Sequence, residues 1–180
     1  MKSYQLVEHD QPLEMVETDN PEPQGSEVLV RITASGVCHS DLYFWHGGYD
    51  MGGGKKVTLE ERGIKLPLVM GHEPLGEVVA VGPDIEDVEI GDKRLVFPWI
   101  GCGDCPRCNE GYDNDCVAMR TLGVLSPGGY ADHVLVPHSK YLIDFAGIPE
   151  HYACTLACAG ITSYSAIKKV RPLSADDKVV

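Results

Sequence analysis

The sequence predicts a mainly β fold with short helices, built as a small barrel or open sheet. Short β-branched runs recur along the chain, Gly/Pro turns separate them, and a sustained helical pattern appears only near the end. Residues 1–7 read as a first strand, with Pro12 and Pro21-Glu22-Pro23 as punctuation behind it. Residues 27–33 alternate and are β-branched, which predicts a second strand. Residues 76–81 predict another, closed by Gly82-Pro83. Residues 93–97 follow the turn Gly91-Asp92-Lys93, and residues 130–136 are opened by Pro127-Gly128-Gly129. The charged stretch 55–65 is expected as a short surface helix or loop, and the acidic run 84–89 as a solvated turn and strand edge. Residues 150–170 read as helical, in two pieces interrupted near Gly160. A polar linker is expected over 173–177, and Lys178-Val179-Val180 as a strand just begun, so the chain reads as the front part of a longer protein.

Composition narrows the function. The chain has 180 residues, with 15 basic against 27 acidic and a formal net charge of −12. Hydrophobic residues make up 43%, inside the globular range. No basic cluster exceeds Lys55-Lys56 or Lys168-Lys169, which argues against a nucleic-acid partner. No apolar run approaches the ~20 residues of a membrane span. The mixed, polar residues 1–10 carry no signal-peptide pattern, so a cytoplasmic location is expected. Thiols stay reduced there, and seven cysteines then read as metal ligands more readily than as disulfides.

Cys102, Cys105, Cys108 and Cys116 share one Gly-rich stretch with the spacing C-x2-C-x2-C-x7-C. Four thiolates so placed can close a tetrahedron around one zinc ion and leave no open position, which makes the site structural. An iron–sulfur cluster is the rival, but the bacterial ferredoxin run sets its fourth cysteine three residues on and follows it with proline. Here the gap is seven and Val117 follows. A second set is dispersed: Cys38 after the strand at 27–33, His72 in Gly71-His72-Glu73, and Cys158 inside the late helical pattern. Singly each is weak. Together they offer Cys, His and Cys, a three-ligand set that leaves a fourth position for water or substrate.

These residues resemble the zinc-dependent alcohol dehydrogenases of the medium-chain dehydrogenase/reductase superfamily. Gly71-His-Glu-x-x-Gly76-x5-Gly82 matches that family's zinc signature, the four-cysteine spacing matches its structural zinc lobe, and residues 156–164 resemble its third-ligand segment. The resemblance runs from the first strand to Val180. It implies a GroES-like, partly open β-barrel over 1–172, with the zinc lobe at 101–116 and the start of an interdomain helix at 150–170. Residues 173–180 would be the linker and first strand of a dinucleotide-binding Rossmann domain whose glycine fingerprint is absent from this sequence.

The resemblance also implies roles. Cys38, His72 and Cys158 fall on the catalytic zinc ligands, and Cys102, Cys105, Cys108 and Cys116 on the structural ones. Ser40 falls on the hydroxyl that passes the substrate proton onward. Asp41 falls on the carboxylate that orients the ligating histidine, and Glu73 on an acid close behind the zinc. His39 falls where a basic residue meets the cofactor pyrophosphate, and Thr162 where a side chain packs on the nicotinamide. Trp45 and Trp99 are candidate walls of the substrate pocket. Tyr43 departs from relatives with a histidine there, so the proton relay would end on water or another group. The stretch 51–66 is longer than in many members and resembles a subgroup with an extended loop.

The implied activity is reversible, NAD- or NADP-dependent oxidation of an alcohol to an aldehyde or ketone, by a full-length homodimer or homotetramer without nucleic-acid or membrane partners. Related polyol, cinnamyl-alcohol and formaldehyde-type dehydrogenases share these features, and a non-enzymatic zinc-binding module is the alternative from a different class. Gly52-Gly53-Gly54-Lys55 reads as a flexible turn, since Lys56 stands where a phosphate loop needs Ser or Thr. His9, His133, His138 and His151 read as ordinary strand or surface residues, and Cys154 as a small buried apolar residue.

Overall fold

The computed structural model describes residues 1–170 and Lys178. The expected linker at 173–177 and the strand residues Val179 and Val180 lie outside the described residues. Among the described residues, ten strands and four α-helices follow in order: β1 (Lys2–Leu6), β2 (Glu14–Glu17), β3 (Val28–Ser35), α1 (His39–Trp45), β4 (Gly48–Asp50), β5 (Lys56–Thr58), β6 (Leu68–Val69), β7 (Pro74–Val81), β8 (Lys93–Val96), α2 (Pro106–Asn109), β9 (His133–Val136), β10 (Leu142–Ile143), α3 (Glu150–Ala153) and α4 (Ala159–Lys169). The mainly β fold expected from the sequence is therefore present. No helix among the described residues is long and apolar enough to cross a membrane.

A five-stranded antiparallel sheet runs in the order β10-β8-β7-β3-β9, and a three-stranded one in the order β2-β1-β6. The sheets are stitched together beside β9: the Tyr4 N–H donates to the Tyr130 carbonyl at 2.8 Å and the Asp132 N–H to the Lys2 carbonyl at 2.9 Å. β3 lies inside the sheet between β7 and β9, and its β-branched start is buried at Val28, Leu29 and Val30. Val28 and Val30 join Val78, Val96, Val134 and Val136 in the main core, which is the interior of the partly open barrel. A second core, Leu6, Phe44, Leu59, Ile64, Leu68 and Met70, lies under α1 and the hairpin β4-β5. A third, Leu75, Leu95, Ala153, Cys154 and Ala157, seats the C-terminal helices on the large sheet. Cys154 is thus the buried apolar residue the sequence suggests.

Three boundaries differ from expectation. The charged stretch 55–65 holds a strand, β5, and one 3-10 turn, Glu60–Arg62, with Gly52, Gly53 and Gly54 turning the hairpin. The late helical segment breaks at Cys158, two residues before Gly160. Its backbone (φ −125°, ψ −70°) leaves the helix between the 3-10 turn Cys154–Ala157 and α4. β2 has no alternating apolar face to announce it, being mostly exposed and held by backbone pairing to β1.

The signature glycines have physical reasons. Gly76 faces Ile32 across the β3–β7 pair, and a Cβ there would stand 2.0 Å from the Arg31 carbonyl oxygen. Gly76→Ala must therefore push two central strands apart. A loss of about 1–3 kcal/mol is expected, read as a lower urea midpoint at unchanged slope.

Candidate metal centres

The lobe at 101–116 is folded around its cysteines. α2 starts at Pro106, whose ring suits a first helical position, and carries Cys108 inward. The 3-10 turn Asp113–Asp115 delivers Cys116. The four sulfurs lie within 4.8 Å of one another. Measured separations are 4.0 Å for Cys102–Cys108, 3.5 Å for Cys105–Cys108 and 3.9 Å for Cys105–Cys116. A tetrahedron with Zn–S bonds of ~2.3 Å has edges of ~3.8 Å, so the sulfurs stand where zinc would want them. Backbone N–H groups of Cys102 and Ala118 donate to the Cys116 sulfur, both at 3.3 Å, and that of Cys105 to the Cys102 sulfur at 3.4 Å. The amides of Asp104 and Cys105 pull the Cys102 thiol down to about 6. Cys108 accepts the Gly103 amide but is pushed up to about 12, because burial and three neighbouring sulfurs oppose its thiolate. Four sulfurs this close can all ionise only around a cation.

Sequence reading gives no hint of what braces this lobe. Asp113 is buried, accepting from the Tyr141 hydroxyl at 2.7 Å and the Lys140 ammonium at 3.0 Å. The Tyr141 oxygen in turn accepts the Gly101 N–H at 3.2 Å. Burial opposes the Asp113 charge, but these two donors outweigh it and hold the carboxyl below the usual range. The partners lie 27 and 28 residues apart in the chain, so only the tertiary fold reveals the link.

The dispersed residues also converge. Donor atoms of Cys38, His72, Glu73 and Cys158 lie within 4.8 Å of one another, and the Cys38 and Cys158 sulfurs are 3.9 Å apart. Cys38 caps α1, and Asp41 at the third helical position accepts the Cys38 N–H at 2.9 Å, closing a capping box. His72 and Glu73 stand just before β7, both 2% exposed. Cys158 is delivered by the break between the two C-terminal helical pieces.

The electrostatics of this cluster favour a cation. Burial works against a charged His72, yet the Asp41 carboxylate and the Cys158 sulfur outweigh it and raise the imidazole to about 11. Its Nδ1 stands 3.3 Å from Asp41 Oδ1, off the hydrogen-bond line, and has no other partner. Burial opposes the Cys38 thiolate, but the Ser40 N–H and hydroxyl and the His72 ring pull the thiol below its ordinary value. Burial raises Glu73, against an Ala159 N–H that donates to its Oε1 at 3.2 Å. Gly36 leaves room for the other oxygen, since a Cβ there would lie 2.0 Å from Glu73 Oε2. Two sulfurs at a tetrahedral-edge separation, an imidazole and a buried carboxylate make a donor set that suits zinc.

The other expected residues are placed unequally. Trp99 and Thr162 line one cleft of about 460 Å³ with Phe97, Met119 and Ile161, running along α4. That volume suits a small organic molecule. His39 is exposed at the start of α1, its ring 4.9 Å from Tyr43. Trp45 is not brought to this cleft. Its indole N–H donates to the Gln11 carbonyl at 2.7 Å, and its ring packs on the second core and on His46. Two tyrosines absent from the sequence-derived set lie near the cluster. Tyr130 donates its hydroxyl to Asp41 Oδ2 at 3.1 Å. Tyr49 stacks on Tyr43 at 5.0 Å beneath the Arg62 guanidinium, and its phenol is raised first by burial and also by the charges of Cys38 and Asp41.

Comparison with known proteins agrees with this geometry. The sequence profile described as "Alcohol dehydrogenase GroES-like domain" matches residues 24–147. One similar relative is a NAD-dependent alcohol dehydrogenase of Sulfurisphaera tokodaii, 39% identical over 169 residues, covering 94% of this chain and 48% of that protein. Among solved structures, the D-arabinose dehydrogenase of Sulfolobus solfataricus aligns with a TM-score of 0.78 at 34% identity, over 93% of this chain and 47% of its own. The alcohol dehydrogenase of Aeropyrum pernix aligns with a TM-score of 0.78 at 32% identity, over 94% of this chain and 48% of its own. The chain spans about half the length of the curated relatives it matches.

Proposed function

This chain belongs to the alcohol dehydrogenase GroES-like domain family, and on that footing we propose that it is the zinc-holding, substrate-activating part of a nicotinamide-dependent alcohol dehydrogenase. The observation that carries the reading is the meeting of Cys38, His72 and Cys158, drawn from three distant segments, with their donor atoms within 4.8 Å. These three residues would hold the catalytic zinc, and Cys102, Cys105, Cys108 and Cys116 the structural one. A zinc ion so bound supplies Lewis acidity, lowering the pKa of an alcohol hydroxyl and polarising a carbonyl in the reverse direction.

The chain's own residues perform the rest. Ser40 sits beside the Cys38 sulfur, where its Oγ takes the substrate's hydroxyl proton and hands it toward solvent. Asp41 orients His72, and such partners fix tautomer and basicity. Glu73 keeps a buried carboxylate behind the ligands. Trp99 and Thr162 wall the cleft that receives substrate and nicotinamide, and His39, exposed at the start of α1, offers a donor to the cofactor's phosphates. A nicotinamide held there would supply the hydride chemistry, with this chain's residues positioning it. Residues 1–172 act as the catalytic domain and 173–180 as the passage into a dinucleotide-binding domain, in a cytoplasmic homo-oligomer.

Metal stoichiometry tests the proposal. Two zinc equivalents per chain are expected by elemental analysis, one of them removable by a mild chelator without loss of the far-UV circular dichroism. A single equivalent, unchanged in Cys38→Ala, would sink the catalytic-site assignment.

A further inference from the structure

Asp41 is the hub of the dispersed centre, and its two oxygens divide the work. Oδ1 faces His72 Nδ1 at 3.3 Å and the Gly71 N–H at 3.4 Å. Oδ2 accepts the Cys38 N–H at 2.9 Å and the Tyr130 hydroxyl at 3.1 Å. The Cys38 N–H is part of the helix cap and would be present in any α1 so capped. Tyr130 is different: it reaches Asp41 across 89 residues of chain, whereas the capping box of α1 is local. Its backbone is fixed on both sides, the N–H donating to the Met70 carbonyl at 3.0 Å and the carbonyl accepting the Tyr4 N–H at 2.8 Å. Its ring lies on Gly71, whose φ is +88° and where a Cβ would stand 2.5 Å from Tyr130 Cδ1. The residue before His72 is therefore shaped to the tyrosine ring, while the tyrosine hydroxyl holds the carboxylate that faces the histidine.

We propose that Tyr130 is a positioning residue of the candidate metal centre, acting through Asp41 to set the orientation of His72 and, with Gly71, the backbone that presents it. This rests on the zinc-centre reading above and adds a residue to it. A buried carboxylate with one donor fewer can rotate, and its second oxygen would be left with a single partner. Burial and the Asp41 charge also push the Tyr130 phenol well above its ordinary range, so it remains a hydrogen donor throughout physiological pH. Groups behind a ligating histidine typically matter by 10–100-fold in metal affinity.

The test uses the unsubstituted chain, Tyr130→Phe, Asp41→Asn and the double variant, each titrated with zinc against a chromophoric chelator and with cobalt followed by absorption. Tyr130→Phe is expected to weaken the dispersed site about 10-fold and to shift its cobalt bands, while the four-cysteine site keeps its affinity. On the Asp41→Asn background the same change should alter affinity by less than about two-fold, because the route through Asp41 is already cut. An unchanged affinity and cobalt spectrum in Tyr130→Phe overturns the inference. So does an equal loss on both backgrounds, which would make the tyrosine a packing residue alone. Uptake of one zinc by the unsubstituted chain would overturn the metal-centre reading and the tyrosine's role together, a result distinct from the other two. A variant-free check is proton NMR of the zinc-loaded chain. A slowly exchanging Tyr130 hydroxyl proton is expected, and a rapidly exchanging one overturns the proposal.

Discussion

Cys105→Ser is expected to release one zinc equivalent per chain and to destabilise the protein by on the order of 3–5 kcal/mol, the range reached when a structural metal is lost. Apart from the Asp113 brace and an exposed Arg107–Asp115 ion pair at 2.8 Å, the lobe at 101–116 has little apolar burial to hold it. Its buried side chains are Cys108, Cys116 and Asp113, two of them cysteines of the cluster and the third a carboxylate. Its larger apolar side chains face outward: Tyr112 is 51% exposed, and Val117 just beyond is 93% exposed. Gly103 and Gly111, with φ of +87° and +84°, fold the backbone around the sulfurs at an entropic cost that bonds to a metal would help offset. The Asp113–Tyr141–Gly101 network anchors the lobe's ends but not its interior. Hydrogen exchange would locate the damage. Amides of 102–118 should lose protection in Cys105→Ser, while β3 and β7, in the main core, keep theirs. Retention of two zinc equivalents with full protection would show that the four sulfurs do not hold this metal.

The two metal-ligand sets differ in how far they can be read without coordinates. The four-cysteine lobe is local: its ligands span 15 residues, so spacing alone narrows the geometry. The dispersed set depends on β3, β7 and the break at Cys158 meeting in space, and each residue alone is ambiguous. Its legibility came from resemblance, not from periodicity. The long strands were legible too, because β-branched alternation and Gly/Pro turns mark them. What escaped was held by tertiary contacts. The hairpin β4-β5 grows from a charged stretch with little alternation, and α1 shows one buried apolar residue, Phe44, over its seven. Trp45, a candidate pocket wall by resemblance, has its N–H on the Gln11 carbonyl and its ring against the second core instead of in the cleft with Trp99. Tyr130 and Tyr49 carried no motif; only their distances to other side chains give them a part.

Ser40→Ala carries the other large expected effect, on turnover. In a protein carrying this chain together with a nicotinamide-binding domain, loss of a positioned proton acceptor should lower kcat by about 10²–10⁴-fold, equivalent to roughly 3–5 kcal/mol of barrier at 1.36 kcal/mol per decade. Zinc content should not change, because Ser40 is not a ligand. KM should move less than kcat, since the hydroxyl acts on a proton in flight more than on bound substrate. Ser40→Thr keeps the hydroxyl and should restore most of the rate. The onward path makes the experiment sharper. The Tyr43 ring lies between those of His39 and Tyr49, at 4.9 and 5.0 Å. A phenol oxygen is a weaker proton acceptor than an imidazole nitrogen, so the proton leaving Ser40 is expected to go to water. Tyr43→Phe should therefore leave kcat within about two-fold, while Ser40→Ala does not. Equal losses in both variants would place the relay through the phenol, and a Ser40→Ala enzyme with near-normal kcat would remove Ser40 from the chemistry.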